Sequence, residues 1–175
     1  MKVLYTERQN MARIWHYLVI GGVVVFNLVI WITSYGGREG LVDRNAITGL
    51  IVTALVPIAI LLLFRVARLE TKITDEGVYY RYFPFIPRQR HIPVSKILSW
   101  EVRKYRALVE FGGWGIRRRR FGRKRAFTAF GNQGFELFLD DGKEILFGTQ
   151  NPGRVREALN KLMPKEKKRE QEYHG

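Results

Sequence analysis

Two apolar stretches, Ile14–Ile32 (IWHYLVIGGVVVFNLVIWI) and Ile47–Phe64 (ITGLIVTALVPIAILLLF), decide how this 175-residue chain is read. Neither contains Asp, Glu, Lys or Arg. At roughly 1.5 Å per residue each makes a helix of about 27–29 Å, close to the ~30 Å hydrocarbon core of a bilayer. The spacer, residues 33–46, carries Gly36, Gly37, Gly40, Arg38, Glu39, Asp43 and Arg44, which suits a wet turn. These features predict a transmembrane helical hairpin over residues 14–64, with spans 14–32 and 47–64. Two helices buried in a soluble core would each need a polar face, and neither stretch has one. Trp15 and Tyr17 at one end, and Trp31 and Tyr35 at the other, match an aromatic belt at both interfaces. The first run is too long for a cleaved signal peptide, and no small-x-small site follows it.

The polar residues inside the spans are few. Asn27 and Thr53 are candidate interhelix polar contacts, because an amide in hydrocarbon requires a partner on a neighbouring helix. An ion or substrate pathway would need more polar groups than these. Lys2, Arg8 and Arg13 precede the first span, Arg65, Arg68 and Lys72 follow the second, and the spacer has only Arg38 and Arg44. The positive-inside rule then puts both termini and the C-terminal domain in the cytoplasm, at the inner membrane of a bacterial-type cell.

Composition agrees with that placement. The chain has 30 Lys and Arg against 16 Asp and Glu, a net charge of +14. Such a balance favours anionic surfaces: lipid headgroups, nucleic acid or an acidic protein. There is no cysteine, so disulfide frameworks and cysteine metal sites are excluded. His16, His91 and His174 are far apart and show no metal-ligand spacing. No cofactor is expected.

Outside the hairpin the chain divides into a polar leader (1–13), a domain (69–163) and a charged tail (164–175). The domain reads as strands. Val78, Tyr80 and Tyr82 should share one face, with Tyr79 and Arg81 on the other. Phe85-Ile86 is expected in a loop between Pro84 and Pro87, and Arg88–Pro93 as an edge strand. Along Leu98–Arg106, Leu98, Trp100 and Val102 are expected inward, with Ser99, Glu101 and Arg103 outward. Gly112-Gly113 reads as a bend or bulge ahead of a strand near 114–118. Residues 125–130 pair next, and Asp140-Asp141-Gly142-Lys143 joins two further strands as a hairpin. Asn151 then opens a helix with Pro152 at its first turn, and Val155, Ala158, Leu159 and Leu162 line one face.

This domain resembles bacterial pleckstrin-homology-like domains, as found in small bacterial membrane proteins of unknown function that place one after a two-helix hairpin. The resemblance rests on Ile73-Thr74-Asp75-Glu76-Gly77-Val78 and Ile92-Pro93-Val94-Ser95-Lys96-Ile97. Gly113-Trp114-Gly115-Ile116-Arg117, the run Gly131–Leu137, and Asp141–Lys143 through Gly148–Pro152 add to it. It implies a barrel or sandwich of about seven antiparallel strands capped by a C-terminal helix, and no agreed activity. Phosphoinositide-binding members elsewhere gather basic residues at the first hairpin. Here that turn is Asp75-Glu76-Gly77, so no inositol-phosphate site is carried over.

The densest chemical signal is cationic. Arg117, Arg118, Arg119 and Arg120 are followed by Arg123, Lys124 and Arg125, with Arg103, Lys104 and Arg106 on the preceding strand. These are the candidate anion- or lipid-contacting residues. Near an anionic leaflet each adds on the order of 1 kcal/mol of attraction. Nucleic acid is the rival partner, through arginines interleaved with Trp114, Phe121 and Phe127, but no nucleic-acid motif accompanies them. The bland alternative is a solvated loop whose charge only sets topology. Asp140 and Asp141 belong to a turn rather than a catalytic pair, and no Ser-His-Asp or Cys-His set can be assembled. The expected function is therefore non-enzymatic: a membrane-anchored interaction module binding a protein partner, anionic lipid or both, with a homo-oligomer open. The alternative is an accessory subunit of a membrane transporter or channel.

Overall fold

The structure is a computed structural model that describes residues 2–11, 20–29, 55, 58–60, 62–119 and 123–163. Two compact units emerge. One comprises residues 1–10 with 68–175, the other residues 11–67.

In the larger unit the described residues form nine strands in two sheets. The first sheet has the order β1-β2-β3-β4: β1 (Val3–Asn10), β2 (Arg68–Thr74), β3 (Gly77–Phe83) and β4 (Ile86–Pro93). The second has the order β5-β8-β9-β7-β6: β5 (Ile97–Lys104), β6 (Gly115–Arg119), β7 (Lys124–Thr128), β8 (Gln133–Leu139) and β9 (Glu144–Gly148). A 3-10 turn, Val94–Lys96, carries the chain between sheets. A short helix α1 (Ala107–Phe111) follows β5, and helix α2 (Pro152–Leu162) follows β9. The domain is thus mainly β, with two sheets and a C-terminal helix. Neither sheet closes on itself, so the barrel alternative gives way to two open sheets.

The core explains why the sheets face each other. Val78, Tyr80 and Tyr82 are buried as their period-2 spacing predicts. Tyr80 meets Phe127 and Phe147 at ring distances of 4.9 and 5.1 Å, and Phe147 stacks on Phe135 at 5.2 Å. Rings from β3, β7, β8 and β9 therefore form one cluster across the interface. Each such pair adds about 0.5–1.5 kcal/mol beyond its burial. Helix α2 buries Val155, Ala158 and Leu159 and lies against β1 and β2 of one sheet and β5 and β8 of the other. Asn151 is its N-cap residue, but its side chain accepts no cap bond; its own N–H donates to Thr149 Oγ1.

Several expectations change. The polar leader is an edge strand: Val3–Asn10 pairs antiparallel with β2, Asn10 opposite Arg68. Short-range pattern concealed it, because its partner lies beyond the apolar stretches. The strands are not all antiparallel, since β9 runs parallel to β7. The tight turn after β8 makes β9 antiparallel to β8, and β7 joins the other side of β9. In β5 a register shift between Ile97 and Ser99 leaves Leu98 exposed and Ser99 buried, against expectation, while Trp100 is buried as expected. Ile86 belongs to β4 rather than a loop. Gly112 adopts φ 70° and caps α1, so the glycine pair ends a helix that the strand pattern did not announce.

In the smaller unit residues 20–29 are helical, as are 58–60 and 62–66. Among the described residues no helix is long and apolar enough to cross a membrane. Most of the two predicted spans, Thr53 included, lies outside those residues. So does the charged tail, residues 164–175.

Gly77 holds φ +145°, and a Cβ there would lie 2.1 Å from the Ile92 carbonyl oxygen. Gly77→Ala should therefore cost at least about 1–3 kcal/mol, read as a lower urea midpoint of the β domain. Strand β1 gives a second expectation. A chain beginning at Arg68 should show no cooperative urea transition, and adding a peptide of residues 1–10 should restore one.

Candidate functional site

The ten predicted cations do not act as one patch. Folding divides them into a structural set and a free set.

The structural set centres on Glu136, whose side chain is only 3% exposed in the middle strand region of the second sheet. Arg103 Nε donates to its Oε2 at 2.7 Å, and Lys124 Nζ pairs with its Oε1 at 2.9 Å. Arg103 also donates through Nη2 to Glu110 at 2.9 Å, and Lys124 also reaches Glu144 at 2.9 Å. Five alternating charges thus tie β5, β7, β8, β9 and α1 together. A buried carboxylate needs such partners, because its desolvation is otherwise costly. Burial alone would lower the Lys124 pKa, but Glu136 and Glu144 outweigh it and hold the ammonium up. Burial likewise opposes the Arg103 charge, and Glu110 and Glu136 more than offset it. Arg103 and Lys124 are therefore engaged in ion pairs within the fold.

The free set lies along the edge strand β6 and its surroundings. Arg117, Arg118 and Arg119 are exposed on β6, Arg123 on the turn before β7, and Lys104 and Arg106 beside α1. Arg120 lies outside the described residues. Arg119 Nη1 donates to the Val109 carbonyl at 3.3 Å and to the Glu110 carbonyl, covering the C-terminal end of α1. The Arg106 N–H donates to Glu110 Oε1 at 2.8 Å at the other end. Helix α1 is thus held at both ends, and it presents Leu108 and Val109 outward, 68% and 72% exposed. Its inner side buries Ala107 and Phe111 with Tyr105, Ala126 and Leu146, and Trp114 packs against them. Trp114 donates to the Gly131 carbonyl at 2.9 Å, so it is a packing ring.

Sequence reasoning missed Leu108, Val109 and Arg90. The two apolar residues became conspicuous only once α1 turned them away from the core. Arg90 was legible in principle as the alternate residue to Arg88 on an edge strand. It lines a cleft of about 220 Å³ with Arg117, Arg118 and Arg125. Of the predicted interhelix pair, Asn27 donates through Nδ2 to the Val23 carbonyl one turn back, at 2.9 Å. Asp141 accepts from Lys143 within the β8–β9 turn. Among the described residues no group of three His, Asp or Glu could hold a metal.

The chain matches no protein-family model, no curated protein and no solved structure.

Glu110 supplies a pH test of the structural set. Burial pushes its carboxyl up, but Arg103 and the Arg106 N–H prevail and hold it below the ordinary range. A depressed carboxyl pKa stabilises the fold above the unfolded value of ~4.3 and loses that contribution as pH falls through the folded value. The melting temperature of wild type should accordingly fall more steeply below about pH 4.3 than that of Glu110→Gln.

Proposed function

We propose that the chain is a membrane-anchored interaction module whose β domain lies at the cytoplasmic face of a bacterial inner membrane and turns its basic edge to anionic lipid. One observation carries this reading: exposed Leu108 and Val109 share a rim with Arg106 and the β6 arginines. Cations at headgroup level beside two apolar side chains are the composition of an interfacial contact. Each arginine contributes about 1 kcal/mol near an anionic leaflet. Fully burying each apolar side chain adds about 1.5–3 kcal/mol.

Two further observations support the anchor. In the helical residues 20–29, Val24, Val25, Phe26 and Leu28 are more than half exposed, a surface that water does not favour. Asn10 and Arg68 are directly paired, so the intervening chain leaves and re-enters the domain at one place. A segment starting and ending there crosses a bilayer an even number of times, as spans 14–32 and 47–64 would. On the same footing we place the domain among bacterial pleckstrin-homology-like domains, on its turn motifs, two sheets and closing helix. The extra N-terminal strand and the parallel pair are departures from the simplest form of that pattern.

The Asn10–Arg68 pairing allows a short turn to replace residues 11–67. That water-soluble domain should bind phosphatidylglycerol vesicles at low salt and release them at high salt. Replacing Arg117, Arg118 and Arg119 by Gln should weaken binding roughly hundredfold, at about 1 kcal/mol each. Leu108→Ser with Val109→Ser should weaken it at least about tenfold. Vesicle binding that ignores both changes removes the lipid reading.

A further inference from the structure

Arg118 and Arg125 sit directly opposite each other on paired strands, as do Ile116 and Phe127 two residues along. Period-2 alternation places all four on one face of the sheet. Phe127 is buried among core rings, so that face is the inner one. The two guanidinium groups therefore extend the core-facing side of the sheet, at its open edge. Like charges directly opposed across a strand pair are unfavourable unless an anion lies between them.

Among the described residues no carboxylate pairs with Arg90, Arg117, Arg118 or Arg125. The Arg125 Nε is buried and has no hydrogen-bond acceptor. Arg90 approaches from β4, the edge of the other sheet, and Phe85 and Ile86 close the apolar wall. Arg117, opposite Ala126, alternates to the other face of β6, with its guanidinium beside Gly113, and contributes only at the margin of the cleft. Three arginines from both sheets, Arg90, Arg118 and Arg125, none with a carboxylate partner among the described residues, thus line a cleft of about 220 Å³ with an aromatic and aliphatic side.

We infer that this cleft between β4 and the β6–β7 pair is a binding site for one phosphate monoester carrying a short apolar or aromatic group. Guanidinium forks match phosphate oxygens two at a time, and a monoester presents three such oxygens to several arginines. The dianion relieves the Arg118–Arg125 repulsion and supplies an acceptor for Arg125 Nε. The organic group lies against Phe85 and Ile86. This inference rests on the reading of the basic edge as anion-seeking and names the group recognised. The monoester is either a soluble metabolite or the headgroup of phosphatidic acid.

The test uses the full chain in phosphatidylcholine nanodiscs, titrated with phenyl phosphate and with inorganic phosphate by calorimetry. Saturable binding is expected, at least fivefold tighter for phenyl phosphate. Arg118→Met and Arg125→Met should each weaken it at least tenfold without lowering the melting temperature, since each removes a repulsion. Arg118→Lys, which keeps the charge but loses the fork, should weaken it severalfold. Arg106→Gln and Leu108→Ser, outside the cleft, should leave it within twofold, although Leu108→Ser weakens vesicle docking. Nanodiscs containing phosphatidic acid assign the source: reduced phenyl phosphate binding points to the headgroup, and unchanged binding to a soluble ester. Absence of saturable binding at millimolar phenyl phosphate overturns the site, as does an equal loss for Arg106→Gln and Arg118→Met.

Discussion

A single carboxylate closes the β domain. Glu7, on the N-terminal strand, accepts from Tyr5 and Thr149 hydroxyls at 2.6 Å, from Gln9 Nε2 at 3.0 Å and from the Gln150 N–H at 2.8 Å. Gln9 also donates to the Gly148 carbonyl at 2.8 Å. These bonds join β1 of the first sheet to the end of β9 and the entry to α2. Burial, helped by Glu7, pushes the Tyr5 hydroxyl up to about 12, so it stays a donor across the accessible pH range. Because charged hydrogen bonds of this kind are among the stronger ones, ten residues at the start of the chain are held inside a domain otherwise built from its second half. The apolar segment becomes an insertion between two neighbouring strands, with Asn10 and Arg68 paired at its ends.

The charge distribution has a comparable division of labour. Glu136 and Glu70 each gather cations from neighbouring strands: Arg103 and Lys124 around the first, Arg8, Arg68 and Arg81 around the second. The Glu70 cluster is half-exposed and contributes little to stability. The Glu136 cluster is buried and fixes α1 through Glu110. What remains on β6 is positive charge with no carboxylate partner among the described residues, Arg119 donating instead to the carbonyls that end α1. The β6 edge therefore combines basic residues with the exposed Leu108 and Val109 of α1.

How much of this was visible in advance depended on the range of the interactions involved. Strands β2, β3, β8 and β9 announced themselves through alternation and tight turns, and α2 through its apolar stripe. Those signals are local. Strand β1 was invisible because its partner lies beyond the hairpin region, and α1 because five residues are too few for a helical period. Leu98 misled, since a bulge one residue away flips the face that alternation assigns. For the candidate site, arginine density marked a region but not which of its members enter ion pairs. A run of adjacent cations does not say which of them a buried glutamate will claim.

By itself the sequence determined the coarse class of the chain: two charge-free apolar stretches and a strand-rich basic domain with a terminal helix. Composition and short-range periodicity suffice for such properties because each is set by neighbours a few residues apart. Tertiary structure alone decided that Val3–Asn10 belongs to the first sheet, that β9 lies parallel to β7, and that Arg103 and Lys124 serve Glu136. It also brought Arg90 from one sheet to Arg118 and Arg125 of the other. Those outcomes depend on which strands become neighbours, and neighbours distant in sequence are chosen by the burial of the whole domain.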